Sequence, residues 1–519
     1  MPTIRDQKSL TIRDFKGFSE GLVPGANPQL SPDAANVKFK WGRVFSRGGM
    51  TEFQAVTTAA SPTPIIGLFN FKKPSGTHEL LRMLTSAVEK FSGGVWSDIT
   101  PVTALTGTST TRPQYDTISD GDGVMNLVFT NEGEDTPKRY TGTGDFSDIG
   151  GTPPYAKVIH NYLKILFLGN ISDSGAFTDV VDGHFTGRFS EDWTATWDPC
   201  DNNTIVLDET PGAWIASETY MRSMWCAKTD GIVKVTFTGS ELRFNQELIT
   251  GDVGVVAPLS FKRVGQKGIM FLGTDGLIYL LTATSVTPIS YGFITDLLTS
   301  RLSSNKLQFA RAVVDSEDDT YYLIYDRTGL SGQANDSYIA YNYLSGEWSH
   351  GFIGQSVYAC EVFKATEYVS EDVLLAESAL VDTFDDLAAT DDNSTAVSRY
   401  WTTGWQRIGE EGWLNGVKVN CKRATDTRIK VDVALNLEEN GWIDSQTFAL
   451  RGGSPNDENV EVTWRTPPKL AEWYNVRVRM VHNAASAQAI VNSVTPIVTP
   501  ILPVGERIDR GASESGGVA

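Results

Sequence analysis

Short runs of β-branched and aromatic residues, each closed by a turn, recur along most of the chain and constrain its fold more than any other feature. The clearest runs are KVIHNYLKILFLGN (157–170), GIVKVTFTG (231–239), GIMFLGTDGLIYLLT (268–282), TYYLIYD (320–326) and SYIAYNY (337–343). Gly, Asp, Asn and Ser bound them, as is typical of strands joined by tight turns. Helical periodicity is scarce, and its better candidates are short: Thr295–Leu302 and Lys469–Trp473. The sequence therefore predicts a mainly β protein.

Two features of these runs favour a β-propeller-like body. Asp275-Gly276 separates two apolar segments, which is typical of a tight hairpin. Residues 319–349 read as strand, loop, strand, turn and Trp, and a turn followed by Trp also occurs at Trp96 and Trp193. That order suits the edge of a propeller blade. The plainer alternative is that Trp simply ends a hairpin, because aromatic residues favour strands.

The 519 residues are enough for about three domains, and the strand pattern divides them into four parts. Residues 1–55 are predicted to form an extended N-terminal arm with a hairpin, 56–375 the β-propeller-like domain, 376–505 a C-terminal β-sandwich domain and 506–519 a flexible tail. The sandwich is predicted from strictly alternating segments such as RIKVDVALNLE (428–438), which place apolar residues on one face.

The composition excludes several classes of protein. With 40% hydrophobic and 10% aromatic residues, the chain is globular and not disordered. No apolar run reaches the length of about 18 residues that a spanning helix needs. The opening residues MPTIRDQKSLTIRDFKG lack the apolar core of a signal peptide, so we expect no Sec-dependent export. The 4 scattered cysteines are expected to be reduced thiols of a chain made in a cytoplasm.

The formal charge of −19 argues against a protein that wraps nucleic acid by neutralising phosphates. The acidic residues form short clusters at 132–135, 317–319, 382–386 and 391–392. Solvated loop tips are the plain interpretation of such clusters. The alternative is that some of them line a passage for DNA, because a negative wall repels phosphate and leaves the polymer mobile.

Sequence motifs for catalysis and metal binding are absent. None of the 5 histidines forms an HExxH motif, and no GxSxG, P-loop or GxGxxG sequence opens a helix. Asp120-Gly121-Asp122-Gly123 resembles part of a calcium loop but lacks its other ligands, so a tight turn is predicted. We therefore expect no cofactor, no metal and no enzyme activity. The abundant carboxylates leave a polysaccharide hydrolase as a minor alternative.

Six tryptophans cluster in the predicted C-terminal domain: Trp401, Trp405, Trp413, Trp442, Trp464 and Trp473. Exposed indole rings can stack on sugars, which would suit a carbohydrate-binding domain. Tryptophan also fills cores and subunit contacts, because it buries a large area. We take packing as the main interpretation.

The segment from Asp14 to Phe53 carries a recognisable order of residues. An aromatic-Gly opening leads to a Pro-rich stretch, then Asn36-Val37, Trp41-Gly42-Arg43 and Arg47-Gly48-Gly49. Residues 64–69 and the Gly94–Thr100 ending continue this order. It resembles the N-terminal signature of tail proteins of short-tailed bacteriophages, and best the tail nozzle or DNA-stabilisation (stopper) proteins. The likeness covers about 1–100 well, is patchy to about 370 and departs at Gly17-Phe18, where many relatives carry two glycines.

The resemblance implies a structural virion protein of the phage tail, assembled in the host cytoplasm. It would form a homo-hexameric ring below the portal and adaptor, retain DNA before infection and conduct it out during infection. Its implied partners are further copies of the chain, the adaptor or another portal-proximal protein, a tail fibre or spike, and DNA that passes without specific binding. Two rival functions remain: a receptor- or glycan-binding tail protein and, less favoured, the polysaccharide hydrolase.

Four residues of the arm are candidate assembly residues: Gly42, Arg43, Arg47 and Gly49. Arginine pairs with acids across an interface, and glycine permits sharp reversals of the chain. Prolines keep residues 22–33 extended, so the arm is expected to lie along another domain or a neighbouring subunit. An intrachain strand that closes the propeller is an equal alternative.

Three acids are candidate channel or gate residues: Glu317, Asp318 and Asp319. They fall in the first of two candidate gate loops, 316–319 and 327–336, which are polar and lie between predicted strands. Carboxylates on these loops would repel the phosphates of passing DNA.

Overall fold

A computed structural model gives the fold. It describes residues 11–20, 22, 25, 27–53, 64–175, 177, 184–195, 197, 203–239, 243–302, 304–327, 335–366, 369–377, 380–386, 389, 391–392, 395–422, 427–438, 441–450, 459–482 and 489–500. The chain divides into two compact units. Unit 1 comprises Met1–Arg47, Glu347–Ser349 and Ser398–Ala519, and unit 2 comprises Gly48–Gly346 and His350–Val397.

Unit 2 is a seven-bladed β-propeller, and blades 1 to 6 are four-stranded antiparallel sheets. Blade 1 contains Gly67–Lys72, His78–Met83, Val88–Ser92 and Val95–Asp98; blade 2 contains Gln114–Ser119, Met125–Thr130, Lys138–Tyr140 and Ser147–Asp148; blade 3 contains Tyr155–Tyr162, Ile165–Ser172, Thr186–Ser190 and Thr204–Val206. Blade 4 contains Trp214–Tyr220, Ser223–Lys228, Ile232–Phe237 and Phe244–Thr250; blade 5 contains Lys262–Val264, Gly268–Leu272, Ile278–Leu281 and Val286–Pro288; blade 6 contains Arg311–Asp315, Thr320–Tyr325, Asn335–Asn342 and Glu347–Val357. The predicted fold class and the hairpin at Asp275-Gly276 are confirmed.

Blade 7 joins the two ends of the ring. Its strands are Ala359–Phe363, Asp372–Ala376, Val381–Asp386 and, from the N-terminal segment, Gly49–Glu52, with Asp391–Asp392 and Thr395–Ala396 beyond them. The N-terminal strand runs antiparallel to the third strand, with Thr51 opposite Thr383. Gly49 permits this close packing, because a Cβ there would lie 2.1 Å from the carbonyl oxygen of Asp391. Blade 7 therefore continues past residue 375, which was the predicted end of the propeller.

The first strand of each blade lies closest to the axis and contacts the first strands of both neighbouring blades. Apolar residues of adjacent blades pack together, as Phe69 of blade 1 does with Phe129 of blade 2. Because the strands are antiparallel, the turns between first and second strands emerge on one face, which we call the turn face. The connections between blades and the turns between second and third strands emerge on the opposite face, which we call the linker face.

The connection from blade 5 to blade 6 contains the α-helix Thr295–Arg301, as predicted, and the 3-10 helix Leu307–Phe309. A second 3-10 helix, Pro258–Ser260, precedes blade 5. In the described part of the chain, no helix is long and apolar enough to cross a membrane.

Unit 1 is built on one nearly closed nine-stranded sheet. Its strands are Ala34–Ala35, Val37–Lys40, Arg43–Ser46, Arg399–Thr402, Gln406–Lys422, Thr427–Leu435, Ile443–Ala449, Asn459–His482 and Ile490–Pro500. The long strand Asn459–His482 pairs with Gln406–Lys422 along its first part and with Thr427–Leu435 along its second. The predicted helix at Lys469–Trp473 is therefore wrong, because these residues lie within that paired strand. A separate parallel pair joins Gly17–Phe18 to Leu30–Ser31.

The predicted N-terminal arm belongs to both units. Residues 34–46 add strands to the nine-stranded sheet, whereas Gly49–Glu52 closes the propeller. The alternative of an intrachain strand that closes the propeller thus describes Gly49–Glu52, whereas the expectation that residues 22–33 lie along another domain or subunit stays a prediction. The chain passes from unit 1 to unit 2 between Arg47 and Gly48.

Candidate functional site

The propeller axis holds a cavity of about 320 Å³. The first strand of each blade, or the segment that enters it, lines this axial cavity, so all seven blades contribute. Its charged or titratable lining residues are Lys72, Asp116, His160, Glu218, Lys262, Arg311 and Glu361, together with Tyr115 and Cys360. Positively and negatively charged side chains therefore line the same cavity.

Asp116 and His160 form a fixed pair on one side of the axial cavity. The Nδ1 of His160 lies 3.1 Å from Oδ2 of Asp116, and its Nε2 lies 2.8 Å from Oγ1 of Thr219. The same Asp116 oxygen accepts the backbone N–H of Asn161 at 2.8 Å. Burial opposes the charged imidazolium, but the hydrogen bond and charge of Asp116 and the charge of Glu218 outweigh it and raise the pKa of His160.

Glu218 and Glu361 are half-buried carboxyls that reach the cavity from blades 4 and 7. Burial raises the pKa of Glu361, although the Lys262 ammonium and the Tyr115 hydroxyl, which donates to its Oε2 at 2.8 Å, act the other way. Burial also raises the pKa of Glu218, against the opposing charges of His160 and Lys262. Both carboxyls thus remain poorly compensated acceptors, suited to hydrogen-bond donors of a ligand.

Arg311 and Cys360 lie side by side in the wall of the axial cavity. The Nη1 of Arg311 donates to the carbonyl oxygen of Ile66 at 3.1 Å, and burial lowers the pKa of Arg311 to about 10. Burial raises the pKa of the Cys360 thiol to about 12, even though Arg311 acts against this change. The thiol is therefore protonated at neutral pH and is not an activated nucleophile.

On the linker face, the segment that enters blade 6, residues 304–310, contacts the entry to blade 2; we call it the crossing segment. Arg112, at the entry to blade 2, donates from Nη1 to the carbonyl oxygen of Gln308 at 3.3 Å, and its guanidinium lies 5.8 Å from the centre of the Phe309 ring. Blade 6 adjoins only blades 5 and 7 in the ring. A contact with blade 2 therefore requires the crossing segment to pass over the axis.

The three predicted channel acids lie away from the axial cavity. Glu317, Asp318 and Asp319 occupy the turn between the first two strands of blade 6, on the turn face. Glu317 is exposed, and Lys364 places its Nζ 3.6 Å from Oε1 of Glu317. In the second predicted gate loop, 327–336, residues 328–334 lie outside the described residues. The gate role of both loops stays a prediction.

The four predicted assembly residues lie in different environments. Gly42, with a φ of 72°, and the exposed Arg43 lie at the hairpin that joins Val37–Lys40 to Arg43–Ser46. Arg47 is fully buried, and its carbonyl oxygen accepts Nε of Arg399 at 2.6 Å. Gly49 is buried in blade 7. Gly42 and Arg43 thus lie where a neighbouring subunit could reach them, and the assembly role stays a prediction.

The tight turn predicted at residues 120–123 is confirmed. Oδ1 of Asp120 accepts the backbone N–H groups of Asp122 at 3.1 Å and Val124 at 2.8 Å. Among the residues that the structure describes, no group of three or more His, Cys, Asp or Glu side chains is arranged to hold a metal ion.

The tryptophans of the C-terminal domain include both buried and exposed rings. Trp401 and Trp464 are buried, which agrees with the packing interpretation for these two. Trp413 is 39% exposed. It lies directly opposite Leu470, which is 44% exposed, on the neighbouring strand.

Sequence reasoning missed the residues of the axial cavity. Asp116, His160, Glu218 and Glu361 come from four different blades and share no spacing along the chain. The available signal is a titratable residue in the first strand of each blade, such as His160 within the apolar run 157–170. That pattern can be recognised only after the first strand of each blade has been identified.

No family model matches this chain, and no curated protein matches it. Among solved structures, the extracellular domain of a hybrid two-component system from B. thetaiotaomicron is 8% identical, with a TM-score of 0.41, and covers 71% of this chain and 43% of that one. A gluconolactonase from Xanthomonas campestris is 9% identical, with a TM-score of 0.33, and the match covers 70% of this chain and 97% of that one. An exo-β-1,3-galactanase from Phanerochaete chrysosporium is 8% identical, with a TM-score of 0.26, and the match covers 86% of this chain and 100% of that one. This chain thus spans less than half of the first of these proteins.

Proposed function

We propose that this chain is a receptor- or glycan-binding β-propeller protein whose ligand occupies the axial cavity. The observation that carries the proposal is an axial cavity that all seven blades line and that several hydrogen-bonding side chains border. The sequence resemblance to phage tail proteins supports a location in a virion tail. We treat the chain as a binding protein and not as an enzyme.

The chemistry of the wall suits a ligand with many hydroxyl groups. Glu218, Glu361 and Asp116 accept hydrogen bonds, whereas Lys262 donates them. Phe69 and Phe261 add apolar surface to the same wall. Ligand pockets commonly combine apolar walls with a few placed polar groups, and a volume of about 320 Å³ suits a small saccharide better than a polymer.

A glycan array followed by titration of the best hits tests this proposal. We expect Glu361→Gln to weaken binding, because the carboxylate accepts from hydroxyl donors more strongly than an amide does. Glu247→Gln is the matched control, since Glu247 lies on the outermost strand of blade 4 and pairs with Lys234 at 2.9 Å. No saccharide binding, or equal binding by both variants and the unchanged chain, would contradict the proposal.

The tail nozzle ring is a second candidate function, favoured by the exposed apolar pair Trp413 and Leu470 on unit 1. Neighbouring exposed apolar side chains suit a contact between subunits. In such a ring, DNA would pass between copies of the chain and not along the propeller axis, where the cavity holds only about 320 Å³. Mass photometry of the chain, alone and with its adaptor, tests this. Hexamers that dissociate in a Trp413→Glu variant are expected, and a stable monomer in both mixtures counts against the ring.

A further inference from the structure

We propose that Arg311 binds the acidic group of the ligand, so that the axial cavity takes an acidic saccharide of the uronic or sialic acid kind. The inference rests on the proposed function, because it names the class of ligand for the same cavity. It depends on the burial of Arg311, on its unused hydrogen-bond donors and on its position at the linker-face end of the cavity.

Arg311 is a buried cation, and no acid in the described part of the chain forms an ion pair with it. It is 8% exposed, and Nη1 donates its one described hydrogen bond, to the carbonyl oxygen of Ile66. Guanidinium carries five N–H donors, so most of them have no acceptor in the described part of the chain. A buried charge is costly unless it is paired. A ligand carboxylate would supply the missing partner and could accept two parallel hydrogen bonds.

The nearby acids already have other donors. Glu132, at the linker face, forms an ion pair with Arg112 and also accepts the backbone N–H of Arg112 at 3.0 Å. Glu361 accepts the hydroxyl of Tyr115, and Asp116 is held by His160. These contacts leave the guanidinium of Arg311 available to a ligand.

The position of Arg311 fixes how a ligand would enter. Arg311 directly follows the crossing segment and begins the first strand of blade 6, so it lies at the linker-face end of the cavity. Lys262 lies on the adjacent blade and also lines the cavity. A saccharide entering from the turn face would therefore place its carboxylate innermost, against two cations. Its hydroxyls would then face Glu218 and Glu361.

Binding of single sugars tests the inference directly. Calorimetric titration of the full chain compares D-galacturonic acid and N-acetylneuraminic acid with neutral D-galactose. We expect at least one acid to bind about tenfold or more tightly than galactose. Arg311→Gln should weaken that acid roughly 10–100-fold, as loss of a charge-assisted hydrogen bond does, with little change for galactose.

Two further variants separate binding from folding. Arg311→Lys keeps the charge and should retain part of the preference for the acid. Arg263→Gln is the matched control, because Arg263 lies next to Lys262 on the same strand but is exposed and donates to the carbonyl oxygen of Gly265 at 2.9 Å. Equal binding of acid and galactose, unchanged by Arg311→Gln, would show that Arg311 only ties blade 6 to blade 1 and would overturn the inference.

A second measurement decides the matter even if none of these sugars binds, a result that would count against the proposed function. Cys360 lines the cavity beside Arg311, whereas Cys226 and Cys421 are fully buried. Its modification by an anionic and a cationic methanethiosulfonate reagent is followed by peptide mass spectrometry. We expect the anionic reagent to react faster and Arg311→Gln to remove that preference. A preference for the cationic reagent, or equal rates in both proteins, would overturn the inference.

Discussion

The two units hold carboxylates whose pKa values are shifted in opposite directions. In unit 1, Asp432 is fully buried and accepts Nε of Arg477 at 3.0 Å, Nη2 of Arg479 at 2.9 Å and the hydroxyl of Ser445. Burial opposes its ionisation, but these hydrogen bonds outweigh burial and lower the pKa of Asp432. In unit 2, burial prevails and the pKa values of Glu218 and Glu361 are raised.

The contrast separates a structural acid from candidate ligand acids. Asp432 has its partners within the chain, so its charge is used to hold neighbouring strands together. Glu218 and Glu361 border a cavity and have no arginine partner in the described part of the chain. Glu361 accepts the Tyr115 hydroxyl, but both carboxylates keep acceptor capacity for a ligand. Burial of an acid is therefore not enough to identify a site, because the partners around the carboxylate decide its role.

The largest expected change in stability comes from a substitution in unit 1. Asp432→Asn should reduce the free energy of unfolding by about 3 kcal/mol, because it leaves Arg477 and Arg479 without their carboxylate. Chemical denaturation followed by tryptophan fluorescence measures this. Glu461→Gln is the control, since Glu461 forms an exposed pair with Lys418 and should change stability by less than about 1 kcal/mol. Equal decreases in the free energy of unfolding of the two variants would show that Asp432 has no special structural role.

A smaller decrease in stability is expected when the hydroxyl that donates to Glu361 is removed. Tyr115→Phe should cost about 1 kcal/mol and raise the pKa of Glu361 further, because the carboxylate keeps its burial but loses a hydrogen bond. Thermal unfolding measures the loss. Tyr291→Phe serves as the control, because Tyr291 is 68% exposed. A Tyr115→Phe protein as stable as this control would show that the contact contributes nothing.

Glu218→Gln should act in the opposite direction to Asp432→Asn. It removes a poorly compensated charge from the cavity wall, so stability at pH 8 should rise by less than about 1 kcal/mol. Denaturant titration at pH 8 measures the gain against the Glu247→Gln control. A clear loss of stability would mean that Glu218 has a structural role like that of Asp432.

The smallest expected effect is a gradual change with pH. A raised carboxyl pKa favours the protonated native state, so Glu218 and Glu361 should add stability as the pH falls through their native pKa values. Asp432 has the opposite sign, and its stabilisation is lost as the pH falls through its lowered pKa. Carbon-13 NMR titration of the side-chain carboxyls should place both Glu midpoints above that of Asp432. The reverse order would contradict the comparison.

Local patterns predicted much of the fold, and non-local contacts account for what they missed. The runs at 268–282 and 320–326 became blade strands, and the short helix at Thr295–Arg301 formed as expected. The end of the propeller was missed because Val381–Asp386 pairs with Gly49–Glu52, a partner far away in sequence. Nothing local in either segment identifies the other.

The axial cavity was harder to predict for the same reason. Arg311 follows a connection that carries no motif, and it becomes a candidate ligand residue only because it is buried in the wall of the axial cavity. His160 lies in an ordinary strand and gains a partner only because the ring brings Asp116 beside it. A site assembled from single residues of separate blades leaves no spacing motif in the sequence.

The strand that closes blade 7 has a consequence for synthesis. Thr51 leaves the ribosome early, and its partner Thr383 is made 383 − 51 = 332 residues later. At 5–20 residues per second this interval is roughly 15–70 s. During that interval the strand Gly49–Glu52, with 4 residues, has no partner strand, although six blades can already fold. Relocating this strand to follow residue 386 through a short linker should shorten that interval and speed completion of the ring.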